Sequence, residues 1–257
     1  MAAIVQIDNL VAAFDARGEP AGSPVFANLD LTIERGEFVT LVGPSGAGKS
    51  TLLRIIADLM PARDGTVHKT MQQSPQRRPI AMVFQEARLM PWRRVRDNVA
   101  FGLEGLRLDA AERNQRVDDV LRLVGLADFG DRWPYELSGG QRQRVGIARA
   151  LAVDPDLLLM DEPFGALDAI TRQTLQDELL RIWHETGKSV LFVTHDIDEA
   201  VYLGDRVLLL GGTPATITQS YDIAAGRPRR RDQEQITEAV TRVKRGLSQT
   251  FEGGAGI

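Results

Sequence analysis

The first forty residues alternate between apolar and polar positions, with glycine and proline between them, which predicts short strands joined by turns. The segment 38–42 is almost wholly apolar and predicts a buried strand that enters a glycine-rich loop. Beyond the loop, apolar residues recur at helical spacing until Pro61 ends the pattern; they are Leu52, Leu53, Ile55, Ile56 and Leu59. The chain therefore predicts a strand, a glycine-rich loop and a helix in direct succession.

Four later runs have the composition of strands: 80–84, 157–160, 190–194 and 206–218. The runs at 157–160 and 190–194 are wholly apolar or β-branched, which is typical of central parallel strands covered on both faces. Residues 95–153 instead show helical spacing of apolar residues, and we predict a helical insertion between strands. The alternation indicates an α/β fold.

The tail has a different character. Residues 227–231 read RPRRR, and we interpret them as a solvated basic segment. They are followed by an apolar stripe at helical spacing, formed by Ile236, Val240, Val243, Leu247 and Phe251. This stripe predicts an amphipathic helix that packs on the sheet or on a neighbour.

Composition places few limits on function. The chain has 257 residues, enough for one large domain or two closely associated ones, and 43% of them are hydrophobic. Its net charge of −4 gives no overall attraction to nucleic acid or anionic lipid. Because there is no cysteine, disulfide frameworks and thiolate metal sites are excluded. No apolar run approaches the roughly 20 residues of a membrane span, so work at a membrane would require another protein.

The glycine-rich loop carries the first candidate chemistry. Its residues are Gly43, Pro44, Ser45, Gly46, Ala47, Gly48, Lys49, Ser50 and Thr51. Glycines let the backbone bend so that its N–H groups surround a phosphate, and the helix N-terminus adds positive charge. Lys49 can reach the β- and γ-phosphates, the Ser50 hydroxyl can ligate Mg²⁺, and Thr51 can assist at the helix start.

Two carboxylates follow the apolar run at 157–160. A strand of this kind delivers Asp161 and Glu162 to the carboxyl edge of a parallel sheet, where ligands bind in open α/β folds. Asp161 would hold Mg²⁺, directly or through water, and Glu162 would orient or deprotonate an attacking water. The alternative is an acidic strand end with no chemical role.

A third motif lies between the other two. Residues 137–141 are Leu137, Ser138, Gly139, Gly140 and Gln141, and a plausible helix follows them. Ser138 and the glycines would then form a second anion site at a helix N-terminus, or a helix cap alone. One chain thus carries two phosphate-binding elements and one hydrolytic carboxylate.

These three motifs in this order resemble the ATP-binding-cassette (ABC) ATPase family, and the resemblance runs from about residue 4 to about residue 231. It implies an α/β P-loop NTPase fold with a RecA-like core, an antiparallel β subdomain and a helical subdomain inserted at about 91–153. The ATPase domain would cover residues 1–226. The basic segment and the amphipathic helix would make up residues 227–257.

The resemblance also implies roles for further residues. His195 matches the switch histidine that contacts the γ-phosphate, although a lone histidine after a strand is more often structural. Gln85 matches the Q-loop residue that senses Mg²⁺ and water beside the membrane partner. Asp168 matches the D-loop, which crosses the dimer interface. Phe14 is the expected adenine-stacking aromatic, with a core residue as the alternative.

In this family two cassettes stack head to tail, and each LSGGQ motif caps the ATP held by the other copy. The cofactors implied are ATP and Mg²⁺, and the first partner is a second copy of the chain. Two positions depart from the family pattern: Asp58 stands where many relatives have glycine, and Met160 replaces a more usual leucine. Neither change removes a catalytic group.

Three segments resemble one importer branch, the ATPases for nitrate, sulfonate and taurine-type solutes: MPWRRVRDNV, DEPFGALDAITRQ and RPRRR. This branch implies integral membrane permease subunits, indirectly an extracytoplasmic solute-binding protein, no nucleic acid, and a place on the cytoplasmic face of the cell membrane. The alternatives are an exporter subunit and a cytosolic ABC protein of DNA repair or the ribosome. The transported solute stays open, because an ATPase subunit does not touch it.

Overall fold

The computed structural model describes residues 2–13 and 24–252. The strands are β1 Ala3–Ala13, β2 Pro24–Glu34, β3 Phe38–Val42, β4 Asp64–Lys69, β5 Ile80–Val83, β6 Leu157–Asp161, β7 Ser189–Thr194, β8 Arg206–Gly211 and β9 Thr216–Asp222. The helices are α1 Lys49–Ile56, α2 Val95–Phe101, α3 Ala110–Leu123, α4 Gly139–Ala152, α5 Ala169–Thr186, α6 Ile197–Leu203 and α7 Glu234–Glu252. Short 3₁₀ turns occur at Ala127–Phe129 and Pro134–Glu136.

The chain divides into two compact units. The first, which we call the phosphate-loop unit, contains Met1–Thr70 and Ser189–Ile257. The second, which we call the helical unit, contains Met71–Lys188.

One sheet of the phosphate-loop unit is antiparallel, with the strand order β2-β1-β4. The first forty residues were predicted to form short strands, and this was wrong in length, because β1 and β2 each run for 11 residues. The register shifts between Ile7 and Leu10. Asn9 has a positive φ of 51° and Asn28 one of 49°, values that asparagine tolerates better than most residues. These irregularities interrupt the alternation of side chains and make one long strand look like several.

The other sheet of this unit has the order β7-β3-β8-β9. Strands β7, β3 and β8 are parallel, and β9 is antiparallel to β8. All five residues of β3 and all six of β7 are buried, as expected for strands covered on both faces. The buried strand predicted at 38–42 and the central strand predicted at 190–194 are therefore confirmed.

The C-terminal helix α7 packs within the phosphate-loop unit, as its apolar stripe predicted. Its buried apolar side chains are Ile236, Ala239, Val240 and Val243. They share one hydrophobic cluster with residues of α6, β3 and β8, among them Ile197, Val201, Val42, Val207 and Leu209. Burial of this stripe is the main source of stability for a helix of this length.

The interpretation of residues 227–231 as a solvated segment was wrong for Arg229 and in part for Arg227, whose side chain is 20% exposed and pairs with Asp205. Arg229 is only 6% exposed, and its guanidinium donates hydrogen bonds to backbone carbonyls. Arg230 does follow the prediction, because it is exposed and pairs with Asp232 two residues away. Composition could not reveal the difference, because the acceptors around Arg229 are backbone carbonyls, which every residue carries, and those of residues 201–204 are distant in sequence.

The helical unit contains the parallel pair β5 and β6, with Val83 opposite Met160. Helices form over most of the predicted 95–153 insertion, but they are interrupted at Gly102, Gly125 and Pro134. Helix α3 begins with a capping box, in which Asp109 accepts from the Glu112 N–H and Glu112 accepts from the Asp109 N–H. Such reciprocal bonds fix where a helix starts.

Asp58, one of the two departures from the family pattern, has a φ of 58°. Only glycine adopts this left-handed conformation without cost, while asparagine and aspartate tolerate it better than other residues. The conformation explains why glycine suits this position. Asp58 also pairs with Lys69 at 2.7 Å.

Candidate functional site: a phosphate loop, an acidic strand end and a capped helix

The phosphate loop connects β3 to α1 in the predicted strand–loop–helix arrangement. Gly48 takes a φ of 91° directly before the helix, and a Cβ there would lie 2.5 Å from Cγ1 of Val25. At Gly43, a Cβ would lie 2.8 Å from the carbonyl oxygen of Leu210. Glycine is thus required at both ends of the loop. Gly48 is required for its backbone conformation and for space, and Gly43 for space.

Lys49 is buried at the start of α1. Its Nζ donates to the carbonyl oxygen of Gly43 at 2.8 Å and to that of Pro44 at 2.9 Å. The ammonium group therefore sits over the loop, at the N-terminal end of the helix. An anion held by the loop would meet both this charge and the helix dipole. Ser50 and Thr51 follow in the first turn of α1, at the same helix end.

His195 leaves the sheet at the same edge as the loop. Val42 is the register partner of Thr194 in the parallel pair of β3 and β7. Gly43 and His195, the next residue of each strand, therefore emerge side by side at the carboxyl edge. Asp196 fixes the start of α6 by accepting from the Glu199 N–H at 3.1 Å.

The acidic residues lie at the carboxyl end of β6 in the helical unit. Asp161 is the last residue of the strand, and Glu162 follows with a φ of 45°. A residue with a Cβ at this φ is strained by roughly 1–2 kcal/mol, and strain of this kind is concentrated at functional sites. The reversed backbone turns Glu162 away from the direction in which the strand would have placed it.

Gln85 and Glu162 approach the same glycine. Val83 and Met160 are register partners, so the segments that follow β5 and β6 leave their strands at the same edge. A Cβ on Gly165 would lie 3.2 Å from Nε2 of Gln85 and 3.7 Å from Oε2 of Glu162. The backbone N–H of Gly165 also donates to the carbonyl oxygen of Glu162 at 3.0 Å. The structure thus brings together two of the predicted catalytic residues.

The LSGGQ motif forms the capped N-terminus of α4. The Ser138 hydroxyl accepts from the Gln141 N–H at 3.2 Å, and Oε1 of Gln141 accepts from the Ser138 N–H at 2.9 Å. A Cβ on Gly139 would lie 3.2 Å from Leu167, and one on Gly140 would lie 2.8 Å from Thr171. The two glycines therefore let the start of α4 approach the 167–171 segment closely.

Asp168 caps the neighbouring helix α5, where its carboxylate accepts from the Thr171 N–H at 3.0 Å. This backbone hydrogen bond holds the pKa of Asp168 below its ordinary value. The charged carboxylate is thus kept at the helix N-terminus. Helices α4 and α5 both begin on residues that the sequence assigned to the nucleotide site.

Three residues that support the site were missed by the sequence analysis. Gln143 is buried and donates to the carbonyl oxygen of Phe84 at 3.0 Å. Arg149 donates to the carbonyls of Ala87 and Arg88, and burial lowers its pKa. Asn98, fully buried, bonds the backbone of Met90, Arg93 and Arg94. These side chains hold residues 84–94 in place. The only sequence signal for their role was that they are polar residues on helix faces that are otherwise apolar.

The predicted Mg²⁺ ligands supply the right chemistry. Ser50, Gln85 and Asp161 offer hydroxyl, amide and carboxylate oxygens, and Mg²⁺ prefers oxygen ligands. Mg²⁺ also keeps several waters and takes few protein ligands beside substrate phosphates. Residues 2–13 and 24–252 contain no cluster of three or more His, Cys, Asp or Glu side chains arranged to hold a metal.

Phe14, the expected adenine-stacking residue, lies outside residues 2–13 and 24–252, which the structure describes. Across the part of the chain that the structure covers, no helix has both the length and the apolar character needed to cross a bilayer.

Comparison with known proteins identifies the family. A family profile described as "ABC transporter" matches residues 26–165. The chain is 46% identical to an uncharacterized ABC transporter ATP-binding protein of Methanocaldococcus jannaschii over 237 residues, which cover 91% of this chain and 87% of the relative. The chain belongs to the ABC transporter family.

Further relatives sharpen the family assignment. The taurine import ATP-binding protein TauB of Escherichia coli is 45% identical over 219 residues, covering 84% of this cassette and 83% of the relative. The ATP-binding cassette MJ0796, solved as a dimer bound to ADP and Pi, matches with a TM-score of 0.71 and 33% identity over 86% of this chain and all of that one. The protein cbiO1 of Clostridium perfringens, part of the ABC transporter complex cbiONQ, matches with a TM-score of 0.75 and 25% identity, over 86% of this chain and 89% of that one.

The predicted ABC ATPase fold is thereby confirmed, with its parallel strands and its antiparallel sheet. The protein is an ATP-binding and ATP-hydrolysing cassette. The roles of the individual site residues, the domain boundaries and the identity of the partners stay predictions.

Proposed function

We propose that this cassette is the ATP-hydrolysing subunit of an ABC importer, which powers uptake of a small solute of the nitrate, sulfonate or taurine type. The observation that carries the proposal is the 45% identity to a taurine import ATP-binding protein over most of both chains. Two copies would work together on the cytoplasmic face of the membrane, each seated on a permease subunit. An extracytoplasmic solute-binding protein would deliver the solute, and no nucleic acid would take part.

Each residue has a distinct task in this mechanism. Lys49 and the loop N–H groups bind the β- and γ-phosphates. Ser50, Asp161 and Gln85 hold Mg²⁺, which neutralises phosphate charge when bound. Glu162 orients a water for in-line attack on the γ-phosphorus and takes its proton, while the bond from that phosphorus to the bridging oxygen breaks.

The remaining residues stabilise the charge that develops during attack. His195 would donate to the γ-phosphate from beside the loop, as its position after Thr194 supports. Ser138, Gly139, Gly140 and Gln141 of the second copy would cover the γ-phosphate with a capped helix N-terminus. Such preorganised donors contribute most of the acceleration in phosphoryl transfer. Asp168 would lie at the junction between the copies, and Phe14 would stack on adenine.

The permease would dock on residues 84–101 of the helical unit. Trp92 is 72% exposed and Phe101 is 41% exposed, although both are large apolar side chains. Phe101 also lines a groove of about 380 Å³, together with Met82, Phe84, Arg88 and Arg149, among others. Since Asn98 and Arg149 fix the backbone of this segment, the surface is preformed, which suits a short helix from a membrane subunit.

The rival functions are an exporter subunit and a cytosolic ABC ATPase. A pull-down of the tagged chain from mildly solubilised native membranes, followed by mass spectrometry, separates them. We expect an integral permease with an exported binding protein, and we expect Trp92→Ala with Phe101→Ala to lose the permease while Leu59→Ala keeps it. Leu59 is a matched control because it is 67% exposed and lies in the other unit. Recovery of ribosomal or DNA-associated proteins alone would overturn the proposal.

A further inference from the structure

The C-terminal end of α6 is held by side chains instead of by a backbone cap. A helix leaves its last four carbonyls without partners in the helix, and glycine in the left-handed conformation commonly supplies the missing bonds. Here the residue after the helix, Gly204, has extended backbone with a φ of −77° and a ψ of 143°. The carbonyls of residues 201–204 therefore need donors from elsewhere in the protein.

Arg229 supplies most of those donors. Its Nη1 donates to the carbonyl oxygens of Val201 at 3.0 Å, Tyr202 at 3.1 Å and Gly204 at 2.6 Å. Its other two nitrogens reach the neighbouring segment, with Nε donating to Ala225 at 3.0 Å and Nη2 to Ile223 at 3.2 Å. One buried guanidinium thus ties the end of α6 to the strand exit at 223–225.

Two further arginines of the same segment contact this region. Arg227 donates to the Leu203 carbonyl and pairs with Asp205 at 2.8 Å. Asp205 in turn accepts from the Phe38 N–H at the start of β3 at 3.0 Å. The guanidinium of Arg231 lies 3.8 Å from the centre of the Tyr202 ring, in the geometry of a cation–π contact. Arg230, between them, pairs with Asp232, two residues away.

We propose that Arg227, Arg229 and Arg231 form a clamp that fixes the C-terminal end of α6 and thereby positions His195 at its N-terminal end. The inference rests on the role given above to His195. Helix α6 has seven residues, or roughly two turns of about 10 Å in total. Because such a short helix moves as a rigid rod, a shift at its last turn is transmitted to the residues just before its first turn.

The clamp acts on position more than on folding. Apolar contacts of Ile197, Ala200 and Val201 keep α6 in the hydrophobic cluster shared with α7 and the sheet. The clamp adds directional bonds, which decide the tilt and the axial position of the helix within that cluster. Burial, followed by the nearby charge of Arg227, lowers the pKa of Arg229 to about 10, which leaves it charged at neutral pH. The helix C-terminus favours that charge.

The test compares Arg229→Lys with Arg230→Lys in the full-length protein. Lysine keeps the charge but lacks the planar fork that serves five carbonyls. We expect Arg229→Lys to lower kcat for ATP about tenfold, with KM changed less than about threefold, since small displacements of a reacting group are costly. Arg230→Lys should leave both constants unchanged.

Imidazole NMR supplies a readout that a purely structural role would not give. The chain has three histidines, His68, His184 and His195. In the ¹⁵N-histidine-labelled protein with a non-hydrolysable ATP analogue, we expect Arg229→Lys to shift the His195 resonances and to leave the other two in place. Unchanged His195 resonances would overturn the clamp, as would equal perturbation of all three histidines together with a lowered unfolding midpoint.

A second variant covers the case in which Arg229→Lys does not fold. Arg231 is exposed, so Arg231→Ala removes its contact with Tyr202 and should shift the His195 resonances by a smaller amount in the same direction. Unshifted His195 resonances in Arg231→Ala would contradict the clamp. His195→Ala tests the role of His195 separately from the clamp. If this variant hydrolyses ATP at the parental rate, the proposed role of His195 is wrong. The clamp is tested independently, by the His195 resonances of the arginine variants.

Discussion

Val42 and Thr194 lie opposite each other in the parallel pair of β3 and β7, so the phosphate loop and His195 leave the sheet at one edge. Neither residue carries the chemistry, yet their pairing decides which groups can act together. Ligands in open α/β sheets bind at this edge. The same relationship holds in the helical unit, where Val83 opposite Met160 brings Gln85 and Glu162 toward Gly165.

Lys49→Ala should weaken ATP binding by about 10- to 100-fold, because a charge-assisted contact with phosphate is lost from a buried site. A titration with a fluorescent ATP analogue measures this. Lys69→Ala is the matched control, since Lys69 pairs with the exposed Asp58 and should bind ATP normally. Equal affinity of Lys49→Ala and the parent would refute the assignment of the loop.

Gly48→Ala should lower the free energy of unfolding by about 2–4 kcal/mol, since the new methyl group meets Val25 and Phe26 at a φ of 91°. Phe26 is fully buried and cannot move aside cheaply. Gly226→Ala should change stability by less than about 0.5 kcal/mol, because a Cβ there meets nothing within 4 Å. Urea denaturation of both variants provides the comparison, and similar midpoints would contradict it.

Asp58→Gly should be about 1 kcal/mol more stable than Asp58→Ala, because alanine is strained at a φ of 58° and glycine is not. Both variants lose the ion pair with Lys69, so the pair cancels from the comparison. The ion pair itself should contribute little, since the Asp58 side chain is 81% exposed. Thermal unfolding of the two variants measures the difference, and a more stable alanine variant would show the conformation to be misassigned.

Ser138→Asp separates the two interpretations of the LSGGQ motif. Aspartate caps helices as well as serine does, so stability should stay within about 0.5 kcal/mol. ATP hydrolysis should nevertheless fall strongly, since a carboxylate would repel the γ-phosphate bound by the other copy. Asp109→Ala is the converse control: it removes the cap of α3, costs about 1 kcal/mol and should leave hydrolysis intact. Full activity of Ser138→Asp would leave the motif as a cap alone.

Much of the fold could be predicted because its signals are local. The strand–loop–helix order around Lys49, the apolar runs of β6 and β7 and the stripe of α7 all follow from residues close together in the chain. The position of Arg229 could not be predicted, because its acceptors are backbone carbonyls, which every residue carries. The positive φ of Glu162 could not be predicted either, since nothing in its side chain favours that conformation.

The candidate site residues could be predicted from the sequence, but their arrangement could not. The capping box of Ser138 and Gln141 was visible in part, because serine and glutamine stand at the expected spacing. The contact of Gly140 with Thr171 was not, because the two residues come from different helices. Glycines that permit close approach look in sequence like glycines that permit unusual backbone angles.

Glu162→Gln tests the central claim most directly. The chain should hydrolyse Mg-ATP, and the variant should do so about 100-fold more slowly or worse, because the water loses its base while phosphate binding is intact. Phosphate release and light scattering on the purified proteins are measured together, with Glu185→Gln, an exposed carboxylate of α5, as the control. The account predicts a variant that binds ATP, forms a stable dimer and releases almost no phosphate. Parental phosphate release by Glu162→Gln would contradict it.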